Sequence, residues 1–388
     1  MENFIVICLI LYLYPFGIYP LLLYVLRIIS SNKINKIYEI YPSLAILIPA
    51  YNEEKYIGRC LQAIADSDYP NDKLFVYVLS DGSSDATVAE ASKFNQIIPN
   101  LIIKDFKHSG KNNMINYIKK EIREDLFFVI DADIICETDA LKEIIANFAD
   151  PKVGAVIGNL KNYNPQNIHD SSHFGETFYQ RYESKIRINE SQISSTVNGL
   201  GNYCIRSSVK SNIPNDRVCD DMYAQIYVIT KNMRAIYDEK AVFYHIRPSN
   251  IKQEFHRHVR TMACSLETVF SLKQLLSPKY GFSAFFLWSH KIFRLHATIF
   301  LIFMNILMLV SFNNFSFYLA GLELIGIILG ISGILLDKIN RGNNILKIFS
   351  FILMMNFVFF AGFKKVYFRS KQVSQWSDNE LKYRQNEQ

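Results

Sequence analysis

Three runs of polar residues each follow a short apolar run, and each carries acids. Pro49-Ala50-Tyr51-Asn52-Glu53-Glu54 follows Leu44 to Ile48. Ser80-Asp81-Gly82-Ser83-Ser84-Asp85 follows Phe75 to Leu79, and Asp131-Ala132-Asp133 follows Phe127 to Ile130. Any one alone reads as a turn, a helix cap or a solvated loop. Together, at the strand ends of one sheet, they gather carboxylates at one rim. Their mutual repulsion there calls for a cation or a hydrogen-bond donor. Asp131 and Asp133, at i and i+2, can offer oxygens to Mg²⁺ or Mn²⁺, which take few protein ligands and keep positions for phosphate oxygens.

The elements that must hold these acids are legible in the periodicity. Leu44 to Ile48, Phe75 to Leu79, Leu101 to Lys104, Phe127 to Ile130 and Val153 to Ile157 read as strands. Tyr56 to Ala65, Thr87 to Phe94, Lys111 to Glu124 and Leu141 to Phe148 carry apolar residues at helical spacing between them. This alternation predicts an α/β fold with a mostly parallel sheet covered on both faces. Ligands of such sheets bind beyond the carboxyl ends of the strands, where the acidic runs stand.

Composition adds a membrane part. Of 388 residues 50% are hydrophobic and 14% aromatic, and mean hydropathy is +0.07, which argues against a purely soluble protein. A charged fraction of 20% argues equally against disorder and against a chain that is membrane from end to end. A net charge of +6 is too mild to imply nucleic acid. Cys8, Cys60, Cys136, Cys204, Cys219 and Cys264 form no CxxC pair, so neither a disulfide framework nor a zinc site is expected and a reducing compartment fits.

Phe4 to Leu26 is 23 residues without a charge, followed by Arg27, Lys33 and Lys36. It is long enough to span as a helix, and the bases after it put the next segment in the cytoplasm. The expected organisation is an anchor over 1–30, a catalytic domain over 43–265 and an amphipathic interfacial segment over 266–294. Transmembrane helices follow over 295–363 and a basic tail over 364–388. Within 295–363 the spans are Leu295 to Phe312, Phe315 to Leu336 and Ile348 to Phe363, the last only 16 residues long. If all three cross, the basic tail ends outside, against the charge rule. Either one does not fully cross, or Phe282 to Arg294 makes an additional pass. Asn305, Glu323 and Asn356 are polar residues in the spans that could face a channel or a neighbour.

These residues resemble the family 2 glycosyltransferases of GT-A fold, in particular the membrane-anchored branch of poly-N-acetylglucosamine, hyaluronan and cellulose synthases. The resemblance runs from about Ser43 to Arg260, with its motifs in the family's order. It implies that Pro49, Ala50, Tyr51, Asn52 and Glu53 contact the nucleotide base and ribose, and that Asp81 receives the base. Gly110-Lys111 with Asn116 matches a pattern near the nucleotide. Asp131 would lie by the ribose and diphosphate with Asp133 on the metal, and His245 stands where some members supply a third metal ligand. Asn198-Gly199-Leu200-Gly201-Asn202-Tyr203-Cys204-Ile205-Arg206 resembles the acceptor segment, where Gly199 and Gly201 let the backbone approach a sugar closely. Asp220-Asp221 aligns with the motif whose second acid is the general base. Arg260 matches the arginine of the processive members' QxxRW motif, but Arg257 and Thr261 replace its glutamine and tryptophan, which weakens a claim of processive synthesis.

The chemistry this implies is transfer of a sugar from a nucleotide-sugar donor, a UDP-sugar first among the candidates, to a glycan or lipid-linked acceptor at the membrane. A divalent cation on Asp133 would neutralise the departing diphosphate, with Arg257 and Arg260 as further positive contacts. Asp221 would take the acceptor's proton. One base and no enzyme nucleophile make this a single inverting displacement. The setting expected is the bacterial inner membrane, in cell-surface polysaccharide synthesis with partner proteins possible. The alternatives are an inert GT-A-like subunit that scaffolds a synthase complex, or a nucleotidyltransferase. Pro49 to Glu53 is the wrong loop for the latter.

Overall fold

A computed structural model describes residues 1–162, 171–214, 219–246, 251–311, 313–337 and 343–368. The helices are α1 (Glu2–Leu13), α2 (Tyr19–Ile29), α3 (Ile57–Ala65), α4 (Thr87–Ser92), α5 (Lys111–Ile118), α6 (Ala140–Ala146), α7 (Ser171–Ile193), α8 (Asp220–Tyr227), α9 (Ile251–Ser271), α10 (Phe282–Phe286), α11 (Arg294–Ser311), α12 (Asn314–Asp337) and α13 (Asn344–Tyr367). The strands are β1 (Leu44–Ala50), β2 (Leu74–Ser80), β3 (Leu101–Asp105), β4 (Leu126–Ile130), β5 (Ile134–Cys136), β6 (Val153–Asn162), β7 (Asn202–Arg206) and β8 (Arg234–His245). Among the described residues, 1–30, 171–186 and 251–368 form a helical unit, and 31–162, 187–214 and 219–246 form an α/β unit.

The α/β unit is built on one sheet of order β3-β2-β1-β4-β7-β6-β8-β5. β1 runs parallel to β2 and β4, and β2 parallel to β3. All seven residues of β1 are buried, which is why it reads as a continuous apolar run rather than an alternating one. Leu44, Ile46 and Ile48 share a core with Val76, Val78, Phe128 and the α3 residues Ile57, Leu61 and Ile64. The far half is mixed, since β7 is antiparallel to both β4 and β6, and β5 is antiparallel to β8. The parallel pattern expected from alternating strands and helices is therefore interrupted at β7 and resumes between β6 and β8. β5 follows β4 with no helix between them, and β7 is antiparallel to its neighbours although α7 precedes it, so alternation alone does not give their direction.

In the helical unit, four helices are long and apolar enough to cross a membrane: Glu2–Ile29, Phe282–Ser311, Asn314–Leu336 and Asn344–Tyr367. Two of them correct the expectations. Phe282 to Arg294 is not a separate interfacial helix. It continues through a π-helical stretch, Leu287–Phe293, into α11 as one 30-residue helix. His290, Lys291 and Arg294 look amphipathic in sequence but are buried. Glu183 of α7 accepts from His290 Nε2 at 3.1 Å and from the Arg294 guanidinium. The last helix is also longer than its uncharged run, because it includes Lys347, Lys364 and Lys365. The boundary expected at residue 265 falls inside α9.

The first long helix has its own π-helical turn at Tyr14–Ile18, where Pro15 removes a backbone donor. The Tyr182 hydroxyl donates to the carbonyls of Pro15 and Phe16 at 3.2 and 3.0 Å. The polar residues of the spans meet neighbours. Asn305 donates to Glu323 at 3.0 Å, and Tyr12 donates to Asn356 at 3.3 Å. Gly330 and Gly333 let α12 close on Leu353, Ser350 and Leu346 of α13.

Candidate active site

Parallel register puts the ends of β1 and β2 side by side, with Ala50 opposite Ser80. The two loops that follow are laced together. Asp81 N donates to Ala50 O at 2.9 Å, and Asn52 N to Ser83 Oγ at 3.1 Å. Ser84 N donates to Asn52 Oδ1 at 2.9 Å and Glu53 N to Thr87 Oγ1 at 2.7 Å. Asn52 takes a left-handed φ of 53°, which asparagine tolerates better than most residues. Glu53 is buried behind the loop, while the half-buried Tyr51 ring sits edge-on to His108 at 5.4 Å.

Asp81 holds the next loop. Its carboxylate accepts from Ser109 N at 2.6 Å and from Gly110 N at 3.0 Å. Gly110 has a φ of +82°, a conformation that glycine adopts without steric cost, and it caps the start of α5. That turn aims Lys111 across the strand ends. Lys111 Nζ lies 2.7 Å from Asp131 Oδ1 and 3.1 Å from Asp220 Oδ2. Burial works against its charge, but Asp131 and Asp220 outweigh burial and raise its pKa. Asp220 also accepts from the Tyr203 hydroxyl at 3.1 Å.

Asp221 starts α8 beside Asp220 and accepts from Met222 N at 2.7 Å. Burial, and then the charge of Asp220, push its carboxyl up to about 6 against the opposing pull of Lys111. An acid poised there is ionised at neutral pH yet basic enough to take a proton.

The glycines make room for the acids themselves. A Cβ on Gly201 would stand 2.7 Å from Asp131 Oδ2. One on Gly199 would stand 2.6 Å from Met222 N and 3.0 Å from Asp221 Cγ. Their smallness is thus used to bring the backbone of 199–201 against Asp131 and the start of α8.

Short strand β5 begins one residue after Asp133, and its antiparallel register sets Ile134 opposite His245. His245 Nε2 consequently lies 3.3 Å from Asp133 Oδ2. Asp131 instead holds Lys111, and among the described residues no three His, Cys, Asp or Glu side chains are clustered to hold a metal. Asn116 lies on α5 as well. Its amide exchanges two hydrogen bonds with the backbone of Ile213. Arg257 and Arg260 stand on α9 in the helical unit, where Arg257 Nη2 lies 2.5 Å from Glu254 Oε2.

Residues 45–209 match the model of glycosyl transferase family 2. The chain carries a family 2 glycosyltransferase domain there. Similar proteins include the O-antigen chain rhamnosyltransferase RfbN of Salmonella typhimurium, 29% identical over 57% of this chain and 73% of that one. Another is the poly-beta-1,6-N-acetyl-D-glucosamine synthase of Staphylococcus aureus, 32% identical over 32% of this chain and 30% of that one. The chain thus spans about a third of that synthase's length. Among solved structures, the mannosyltransferase PcManGT from Pyrobaculum calidifontis, in complex with GDP-Man and Mn2+, covers 95% of this chain and is itself covered in full. Its TM-score is 0.72 at 19% identity. That similarity is one of fold and establishes GT-A.

In this domain nothing in the sequence assigned Ser109 or Thr87 a role, and Tyr203 stood in the acceptor-like segment 198–206 without a role of its own. A tyrosine inside an apolar strand reads as core, and Ser109 and Thr87 act through hydrogen bonds to residues 28 and 34 positions away. The one available signal was the placement of Tyr203 two residues after Gly201.

Proposed function

We infer that this glycosyltransferase moves a sugar from a nucleoside-diphosphate donor to a glycan or lipid-linked acceptor at a membrane, by one inverting displacement with Asp221 as general base. The observation that carries this reading is the Asp131–Lys111–Asp220 bridge. It joins the donor-side acids to the acid pair of α8, leaving Asp221 beside them with a raised pKa. Lys111, at the N-terminus of α5, adds an ammonium to the helix's positive end, a setting suited to a diphosphate. Asp133 and His245, 3.3 Å apart, would hold a divalent cation, with Asp131 as a further oxygen donor nearby. Such an ion supplies charge neutralisation to the leaving group. The chain's own residues do the rest. The laced loops of β1 and β2 frame the nucleotide end, Gly199 and Gly201 hold the acids close, and Asp221 takes the acceptor's proton.

Four apolar helices support placement in a membrane, and the bases after the first support a cytoplasmic α/β unit. The polysaccharide enzymes among its relatives favour a role in cell-surface glycan synthesis. The deciding experiment incubates the detergent-solubilised protein with a panel of UDP- and GDP-sugars and counts nucleoside diphosphate released. Turnover of one donor, abolished by EDTA and restored by Mn²⁺ or Mg²⁺, is expected. Release from none, with intact nucleotide binding, would favour an inert scaffold, and undiminished release in EDTA would remove the metal.

A further inference from the structure

Helix α13 has 24 residues, enough to cross a bilayer, but its neighbours hold it otherwise. Asn313 donates to Glu2 and to Ser311, both at 2.9 Å, so Glu2, Ser311 and Asn314 mark one end of the helical unit. The level of a residue is counted from that end along its own helix, at about 1.5 Å per residue. The first turns of α13 pack on the last turns of α12. A Cβ on Gly330 would stand 3.2 Å from Leu353 Cβ, and one on Gly333 2.5 Å from Leu346 O. These glycines lie about 24 and 28 Å from Asn314. The middle of α13 meets the first long helix. Tyr12 donates to Asn356 at 3.3 Å, and the rings of Phe16 and Phe359 are 5.9 Å apart. Tyr12 and Phe16 lie about 15 and 21 Å from Glu2. The last turns of α13 meet the start of α11. The Tyr367 hydroxyl lies 3.1 Å from His296 Nε2, and the Phe363 ring 5.6 Å from the His296 ring. His296 lies about 22 Å from Ser311. Both ends of α13 therefore stand near one level, whereas crossing would put them about 30 Å apart.

Two further observations agree. First, α13 runs beside α9. The rings of His258 and Phe351 are 6.4 Å apart and those of Phe270 and Tyr367 6.3 Å. Between them, a Cβ on Gly362 would stand 3.2 Å from Met262 Cβ. Helix α9 carries Glu254, Arg257, Arg260 and Glu267, a set too costly for the middle of a bilayer, and a crossing α13 would take it there. Second, bases stand at both ends of α13. Lys338, Arg341 and Lys347 flank its start, and Lys364, Lys365, Arg369 and Lys371 flank its end. Positive-inside asymmetry puts both groups on one side.

We propose that α13 does not cross the membrane but lies in its cytoplasmic leaflet beside α9. Its exposed Ile345, Ile352, Phe357 and Phe360 face acyl chains, and the bases at its ends meet anionic headgroups. The chain then crosses three times, and its basic tail stays on the cytoplasmic side. The conflict with the charge rule disappears, because Phe282 to Arg294 belongs to one span with α11. The side named rests on the cytoplasmic placement proposed above, whereas the course of α13 does not.

The test places single cysteines in the full chain and labels intact bacterial cells with a membrane-impermeant maleimide, before and after permeabilisation. The parent chain gives the background of its own cysteines. Asn314→Cys should label in intact cells. Asn71→Cys, Asn344→Cys at the start of α13 and Ser377→Cys in the tail should all label only after permeabilisation. Labelling of Ser377→Cys in intact cells with Asn344→Cys protected would mean that α13 crosses, which overturns the proposal. So would any result that puts Asn344→Cys and Asn71→Cys on opposite sides. A fully inverted pattern, with only Asn314→Cys protected, sinks the cytoplasmic placement and leaves the course of α13 standing. Should a cysteine variant fail to fold, fusions after Gln388 of the unaltered chain give the same reading. Green fluorescent protein there should fluoresce, and alkaline phosphatase should be inactive. An active phosphatase with a dark fluorescent fusion overturns the proposal.

Discussion

The two units treat buried charge in opposite ways. In the helical unit, Glu183, His290 and Arg294 have side chains 2%, 1% and 4% exposed, and the glutamate accepts from both bases. In the α/β unit, the side chains of Asp131 and Lys111 are 40% and 31% exposed and that of Asp220 13%, and one ammonium is shared between two acids. Both arrangements neutralise carboxylates, but only the second keeps them within reach of a ligand. A sealed cluster secures packing, whereas an open, underneutralised one can trade its partner for a substrate's charge.

The largest effect that sharpens this contrast is Asp221→Asn. The amide keeps the shape but cannot take a proton. Transfer should fall by the 10²–10⁴-fold expected of a general base, with donor affinity near native. Asp133→Asn should weaken metal-dependent nucleotide binding as well. Donor titration and product release on both proteins decide it. If Asp221→Asn loses binding as badly as Asp133→Asn, Asp221 belongs to the nucleotide site and Asp220 becomes the first candidate base.

Next comes the sealed side. Glu183→Ala strands Arg294 and His290 in an apolar bundle, a change that costs about 3–5 kcal/mol when one partner of a buried pair is removed. The melting temperature of the detergent-solubilised protein should drop sharply, while kcat per folded molecule stays native. A loss of kcat without a loss of stability would erase the distinction between the two clusters.

Gly201→Ala should have a smaller effect. Its Cβ would meet Asp131 Oδ2 at 2.7 Å, so the carboxylate must shift. Overpacking of this kind costs about 1–3 kcal/mol, and it should weaken nucleotide binding through Asp131. Native affinity with native stability would show that the 199–201 backbone has room to move.

How far the sequence carried this picture follows from the range of the interactions. The strands β1, β2 and β4 and the acids at their ends were legible, because burial on both faces leaves continuous apolar runs and because loop acids follow them directly. Asp220 and Asp221 were legible through motif order. The continuity of Phe282 to Arg294 with α11 was not legible, since His290 and Arg294 look like interface charges until Glu183, 107 and 111 positions away, is seen to hold them. The hydrogen bonds of Asn116 were not legible for the same reason. Its partner Ile213 lies 97 residues on, and no local pattern marks it. Periodicity reports which face of an element is buried. It does not report which distant group supplies a hydrogen bond.

The smallest effect is a shift rather than a loss. A general base must be ionised, so kcat/KM should fall as pH drops through about 6, where burial and Asp220 hold Asp221. Lys111 pulls the other way, since its positive charge favours the carboxylate. Lys111→Met should therefore move the acid limb to higher pH, whatever it does to donor affinity. Asp220→Asn removes a like charge and should move the limb to lower pH. Because the two acids interact, the limb belongs to the pair, and the direction of each shift is what discriminates. Glu183→Gln changes a carboxylate in the helical unit and should leave the limb where it was. The measurement is kcat/KM across a pH series for these three variants and the parent protein. A limb that ignores both Lys111→Met and Asp220→Asn would mean that the titrating group is not Asp221. A limb that follows Glu183→Gln would mean that the sealed cluster is coupled to the reaction after all.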